Sequence, residues 1–297
     1  MSVVKIKDVE IEKKEKPGAY TPKEVKGYIL PPDTKKILNS VKHKRNVLLV
    51  GETGTGKTSL VYQLGAMLNE DVLYNSCQGE TSKADIVGQY VVEPDPVTNR
   101  MKTVWKDGRL ITAMRNGYWF ILDEMDFARP DILELLHSLA DENPNIVLDS
   151  KDGECVYPHP NFRLFATANS IGAMSDQRSL YQGTNIMNPA LIDRFHVFHI
   201  RDLSKEDTWQ MLIERIEGIT GPIAEKMVQV VFALRGLKDK EEILSNFSNR
   251  RLLSWANEFM LYADPIDSAA HTIFNKLDNV EGDLFRRTIQ EYMGGKL

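Results

Sequence analysis

The run NVLLVGETGTGKT (residues 46–58) decides how the rest of this 297-residue chain is read. Its first part, NVLLV (46–50), is short and almost wholly apolar, the mark of a strand buried on both faces. Gly51-Glu52-Thr53-Gly54-Thr55-Gly56-Lys57-Thr58 then satisfies G-x-x-x-x-G-K-[ST], and the following KTSLVYQLGAMLN has helical spacing. Glycines let the backbone curl so that successive N–H groups point inward at an anion. The helix that follows turns its positive end toward the same place. Lys57 is a point charge with the reach of β- and γ-phosphates, and the Thr58 hydroxyl is a hard oxygen suited to Mg²⁺.

Working outward, DVLYNSC (71–77), YWFILDE (118–124), FRLFATAN (162–169) and HVFHI (196–200) read as four further strands separated by helix-like segments. Near-continuous apolar strands between helices predict an α/β fold with a five-stranded parallel sheet. After Asp202 apolar residues recur at spacings of three and four, in KEDTWQMLIERIEG, AEKMVQVVFALRG and NRRLLSWANEFMLYA. A helical second domain over 203–297 is therefore expected, behind a nucleotide-binding domain over 28–202. Residues 1–27, rich in Lys and Glu and holding Pro17 and Pro22, read as an extended arm or short edge element.

The third strand ends in Asp123 and Glu124, at the strand end where open α/β sheets place their ligands. Asp123 is expected to hold Mg²⁺ through its water shell, and Glu124 to orient and polarise the attacking water. Asn169 ends the fourth strand, where a neutral amide can meet a γ-phosphate and a water without repelling the acids. Arg194, in LIDRF before the fifth strand, and Arg250 and Arg251, opening a helix of the second domain, are the cationic candidates, since a planar fork matches phosphate oxygens.

Composition narrows the classes. With 37 basic and 42 acidic residues the net charge is -5, which argues against a surface built throughout for nucleic acid. Two cysteines, Cys77 and Cys155, cannot make a disulfide framework, and they pair with no histidine at zinc-like spacing. The opening MSVVKIKDVEIEKKEKPG has no apolar core, and no run approaches the ~18 apolar residues of a membrane span. The expectation is a cytoplasmic protein with no membrane attachment.

The set GETGTGKT, WFILDE, ATAN, LIDRF and SNRR, in that order, resembles an AAA+ ATPase. With DEMDFARPDILELLHSLAD, HPNFRLFATANSIG and LYQGTNIMNPALIDRF it is similar to the MoxR group, and within it to the small ATPase subunit of aerobic cobaltochelatases and its phage homologues. The resemblance covers about residues 28 to 265. It implies an AAA+ P-loop αβα sandwich followed by a small helical lid, with ATP and Mg²⁺ as cofactors. It also implies Asn169 as sensor 1, Arg194 as an arginine finger reaching a neighbouring subunit's nucleotide, and Arg250 as sensor 2, with Arg251 a one-residue alternative. A homo-oligomer, a hexameric ring, follows from the same likeness. So do two hairpin insertions, over about 88–105 and 143–160, that engage substrates, and a partner carrying a von Willebrand factor A domain. The function implied is an ATP-hydrolysing ring motor that remodels a partner protein, with metal chelation as its setting if the cobaltochelatase likeness extends to function. A nucleic-acid-stimulated AAA+ motor is the alternative, because rings with helix-2 insertions also include DNA translocases.

Overall fold

In the computed structural model of the chain, residues 2–77, 81–97, 99–141, 143–170 and 187–294 are described. The chain divides into two compact units. The first takes Met1–Glu24, Pro32–Glu52 and Lys57–Ile200; the second takes Val25–Pro31, Thr53–Gly56 and Arg201–Leu297.

The first unit runs β1 (Ser2–Ile6), β2 (Val9–Lys13), α1 (Thr34–Lys42), β3 (Val47–Val50), α2 (Lys57–Leu68), β4 (Val72–Ser76), α3 (Lys83–Val87), β5 (Gly88–Pro94) and β6 (Met101–Asp107). It continues through α4 (Arg109–Asn116), β7 (Trp119–Asp123), α5 (Pro130–Leu139), β8 (Ile146–Leu148), β9 (Glu154–Val156), β10 (Arg163–Ala168), α6 (Pro189–Ile192) and β11 (His196–His199). Five of these strands form one sheet in the order β11–β3–β10–β7–β4, and every pairing is parallel. The α/β class and the five parallel strands read from the apolar runs are thus what the chain adopts.

Burial explains those runs. Val47–Val50 and Trp119–Leu122 are buried along their whole length, as strands covered on both faces must be. Successive side chains serve opposite faces. Leu48, Val50, Phe120, Leu122, Leu164 and Ala166 join one apolar core with residues of α3, α4 and α5. Val47, Leu49, Ile121 and Phe165, the alternate residues, are equally buried on the face of α1 and α2. The register sets Val50 against Ala168, and Ser76 against Asp123, so the carboxyl ends of β3, β10, β7 and β4 lie along one edge.

Outside the sheet, β5 pairs with β6 and β8 with β9 as antiparallel hairpins. Residues 1–27, read as an extended arm or short edge element, hold a hairpin and a segment that runs against β4. The first residues form a β1–β2 hairpin through Lys7 and Asp8, both at positive φ, the twist a two-residue connection needs. Ile6, Val9 and Ile11 are its buried side chains. The Val72 N–H donates to the Tyr20 carbonyl (3.1 Å), and the Tyr20 N–H to Asp71 Oδ1 (2.7 Å), so the segment also covers the start of edge strand β4.

The second unit holds the helices α7 (Lys205–Arg215), α8 (Gly221–Asp239), α9 (Asn249–Tyr262), α10 (Pro265–Thr272) and α11 (Asn279–Met293). Four of them start at an oxygen-bearing cap: Ser204, Ser248, Asp264 and Asp278 each accept a main-chain N–H of the first turn. Their shared core includes Leu212, Met227, Val231, Trp255, Phe285 and Ile289. Among the described residues no helix is long and apolar enough to cross a membrane. Residues 180–186, which carry part of the LYQGTNIMNPALIDRF likeness, lie outside the described residues.

Candidate functional site

The loop Gly51–Gly56 joins the end of β3 to the first residue of α2. Gly54 (φ +87°) and Gly56 (φ +94°) sit where side-chain-bearing residues are strained, which is why the curl requires glycine there. At Gly54 space adds to conformation: a Cβ would come 2.5 Å from Ser248 Cβ, the cap of α9 in the same unit.

Lys57 opens α2 and is buried. Its ammonium donates to the carbonyls of Gly51 (2.6 Å) and Glu52 (2.9 Å) and to Asn169 Oδ1 (3.0 Å). Burial lowers its pKa, against the pull of Asp123, Asp126, Glu124 and Glu52 in the other direction. The Thr58 hydroxyl donates to Asp123 Oδ1 (2.6 Å), and the Tyr74 hydroxyl to Asp123 Oδ2 (3.2 Å). Glu124 follows with φ 56° and ψ 47°, a left-handed turn that ends the strand. The Asn169 N–H donates to Asp126 Oδ2 (3.0 Å). Asp126 has no exposed surface, and burial raises its pKa.

The first unit therefore brings Gly51, Glu52, Lys57, Thr58, Asp123, Glu124 and Asn169 to one edge of the sheet. Thr53, Gly54, Thr55 and Gly56 complete the loop and group with the second unit. Arg194 is one-third exposed; its guanidinium donates to the Ala190 carbonyl (2.6 Å) and pairs with Asp141 (3.7 Å). Arg250 is exposed on the first turn of α9. Its neighbour Arg251 is half-buried, and desolvation lowers its pKa while Glu281 opposes that.

Thr58 Oγ1 and Asp123 Oδ1, 2.6 Å apart, are a pair of hard oxygens of the kind Mg²⁺ uses beside phosphates and water, so the residues present fit the cation. Cys77 is no nucleophile: burial, with Asp123, Asp126 and Glu124 nearby, pushes its thiol up to about 12. Three residues of the site carry no motif signal of their own. Tyr74 and Thr167 each bond Asp123, and Asp126 holds the Asn169 main chain. Only the position of Asp126 in DEMD and of Thr167 in TAN hinted at them.

A glycine loop between a buried strand and a helix, with its lysine within the field of the acids at the end of β7, defines a P-loop nucleotide-binding protein. Residues 46–195 match the AAA domain (dynein-related subfamily), and the chain belongs to that family. It is an AAA+ ATPase of the MoxR type. Aerobic cobaltochelatase subunit CobS from Sinorhizobium sp is 28% identical over 98% of this chain and 88% of that protein. The denitrification regulatory protein NirQ of Pseudomonas aeruginosa is 30% identical over 72% of this chain and 76% of its own length. Midasin of Giardia intestinalis is 30% identical over 70% of this chain, which spans 4% of that much longer protein.

Proposed function

We propose that the chain is a Mg²⁺-dependent ATPase that works as a hexameric ring motor and remodels a partner protein. The observation that carries this reading is the convergence of Lys57, Thr58, Asp123 and Asn169 through direct hydrogen bonds at the carboxyl ends of three adjacent strands.

In that reading the loop amides and Lys57 bind the triphosphate, while Thr58 and Asp123 hold Mg²⁺. Bound there, the cation supplies neutralisation of charge on the β- and γ-phosphates. Glu124 accepts the proton of a water that adds to the γ-phosphorus as ADP leaves, and Asn169 positions that water. Arg194 of a neighbouring subunit stabilises the charge of the transition state. Its few bonds here leave the guanidinium one-third exposed, which suits a side chain that reaches outward. Arg250, exposed on α9, is the sensor 2 residue, and Arg251, half-buried beside Glu281, is the alternative.

The β5–β6 hairpin supports a protein partner. Tyr90, Val92, Val97 and Met101 on it are exposed, an apolar set that water alone does not explain. A relative named as a cobaltochelatase subunit and another named as a denitrification regulatory protein agree with work on other proteins. A von Willebrand factor A domain is the partner that the family likeness favours, and metal chelation its setting where the partner is a chelatase.

Capture with the Glu124→Gln variant tests this. Loaded with ATP, it should retain a specific protein that the ADP-loaded form releases. Salt-sensitive stimulation of turnover by DNA, with no protein retained, would move the chain to the nucleic-acid motors.

A further inference from the structure

One side chain at the strand ends takes part in none of the steps above. Thr167 lies on β10 with no exposed surface, two residues before Asn169 and across from β7. Its hydroxyl donates to Asp123 Oδ1 (2.5 Å) and accepts the Glu124 N–H (3.0 Å). A hydroxyl has a single proton, and a main-chain N–H can only donate. The direction of both bonds is therefore fixed, and one oxygen ties a carboxylate to the peptide that follows it.

That peptide is where the chain leaves the strand. Glu124 stands at φ 56° and ψ 47°, the left-handed region that side-chain-bearing residues seldom adopt. Something must hold it there. The bonds from the Phe127 N–H to the Glu124 carbonyl (2.9 Å) and from the Cys77 N–H to the Asp123 carbonyl (2.9 Å) restrain the main chain there, and the bond to Thr167 is the restraint that a side chain supplies to the Glu124 N–H. Threonine is suited to the task, because its branched Cβ leaves few rotamers for the hydroxyl to adopt. Asp123 Oδ1 also takes the Thr58 hydroxyl, but Thr58 is itself assigned to the cation. Thr167 is the donor to that oxygen with no such second duty.

We propose that Thr167 is a positioning residue that couples the two carboxylates: it orients Asp123 for the cation and fixes the Glu124 main chain for water activation. This rests on the roles given to Asp123 and Glu124 under the proposed function. Thr167→Val keeps the shape and removes the hydroxyl, leaving the Glu124 N–H without its acceptor. It should lower kcat by about 10- to 100-fold, the usual effect of losing a residue that supports a metal ligand, and shift Mg²⁺ activation to higher concentration. Nucleotide binding measured in EDTA should not change. Thr167→Ser, which restores the hydroxyl, should recover most of the rate and the Mg²⁺ response.

If Thr167→Val gives no cooperative melt, Thr167→Ala against Thr167→Ser is the comparison to read, with the same expectations. The proposal is overturned if removing the hydroxyl leaves kcat and Mg²⁺ activation unaltered. It is equally overturned if serine loses as much as valine or alanine, since packing would then account for the loss. Asp123→Asn and Glu124→Gln, assayed alongside, separate this from the reading beneath it. Turnover abolished in both but normal in Thr167→Val defeats the coupling alone, whereas turnover surviving in both defeats the two readings together.

Discussion

The Lys57 ammonium and the Asn169 side-chain oxygen lie 3.0 Å apart, joining the start of α2 to the end of β10 across 112 residues of sequence. The main chain of Asn169 is anchored as well, its N–H donating to Asp126 Oδ2 (3.0 Å). Replacing Asn169 by alanine removes one of the three acceptors around Lys57 and leaves the two carbonyls. Nucleotide affinity should survive, while kcat falls by about 10²–10³, the scale of losing one preorganised polar group at a reacting centre. Lys57→Ala should instead lose the binding itself. Titration with a fluorescent ATP analogue beside steady-state turnover distinguishes the two.

Glu124 is the residue placed to take a proton. Glu124→Gln keeps the size and the left-handed main chain but cannot act as a base. Turnover should fall by about 10²–10⁴ with nucleotide binding retained. Undiminished turnover in this variant would remove Glu124 from the chemistry.

Cys77 offers a test of the pocket's electrostatics that does not depend on catalysis. Its thiol, ordinarily near 9.0, is pushed up to about 12 by burial and by three carboxylates. Between these values the folded protein keeps a proton that the unfolded chain has released, so stability falls as pH rises through that window. Cys77→Ala should flatten this part of the stability profile. Below it the thiol is neutral: iodoacetamide at pH 8 should label the exposed Cys155 and reach Cys77 only in denaturant. Mass mapping of the labelled peptides checks this.

The five strands of the sheet could be read directly, because a strand covered on both faces has to be apolar throughout and the turn residues beside each run mark its ends. NVLLV became Val47–Val50, and FRLFATAN became Arg163–Ala168. The helical second unit was legible for a similar reason, its core residues recurring once per turn from Leu212 to Ile289. The β1–β2 hairpin was not. Its inward Ile6, Val9 and Ile11 alternate with Lys and Glu, and its turn falls on Lys7 and Asp8 with neither Gly nor Asn to announce it. In the site, the phosphate loop announces itself because phosphate constrains consecutive residues. Thr167 and Asp126 act through main-chain N–H groups 43 residues away in sequence, a relation that leaves no local pattern.

Arg194 is assigned to a neighbour's nucleotide, and mixing subunits probes that assignment. Lys57→Ala and Arg194→Ala proteins, each inactive alone, should regain activity when combined, since one kind of interface then holds an intact lysine and an intact arginine. The arginine accounts for a rate factor of about 10³–10⁵, so even a small fraction of repaired interfaces is measurable. Absence of rescue at every ratio would place the arginine's action within its own subunit.

The central claim, that the pocket is finished by a second copy of the chain, is tested most directly by turnover per subunit as a function of protein concentration, with sedimentation velocity on the same samples. The account predicts a steep rise in specific activity as monomer gives way to a ring, and nearly none in the monomer range. Specific activity that stays constant from a demonstrated monomer to the assembled form would contradict it.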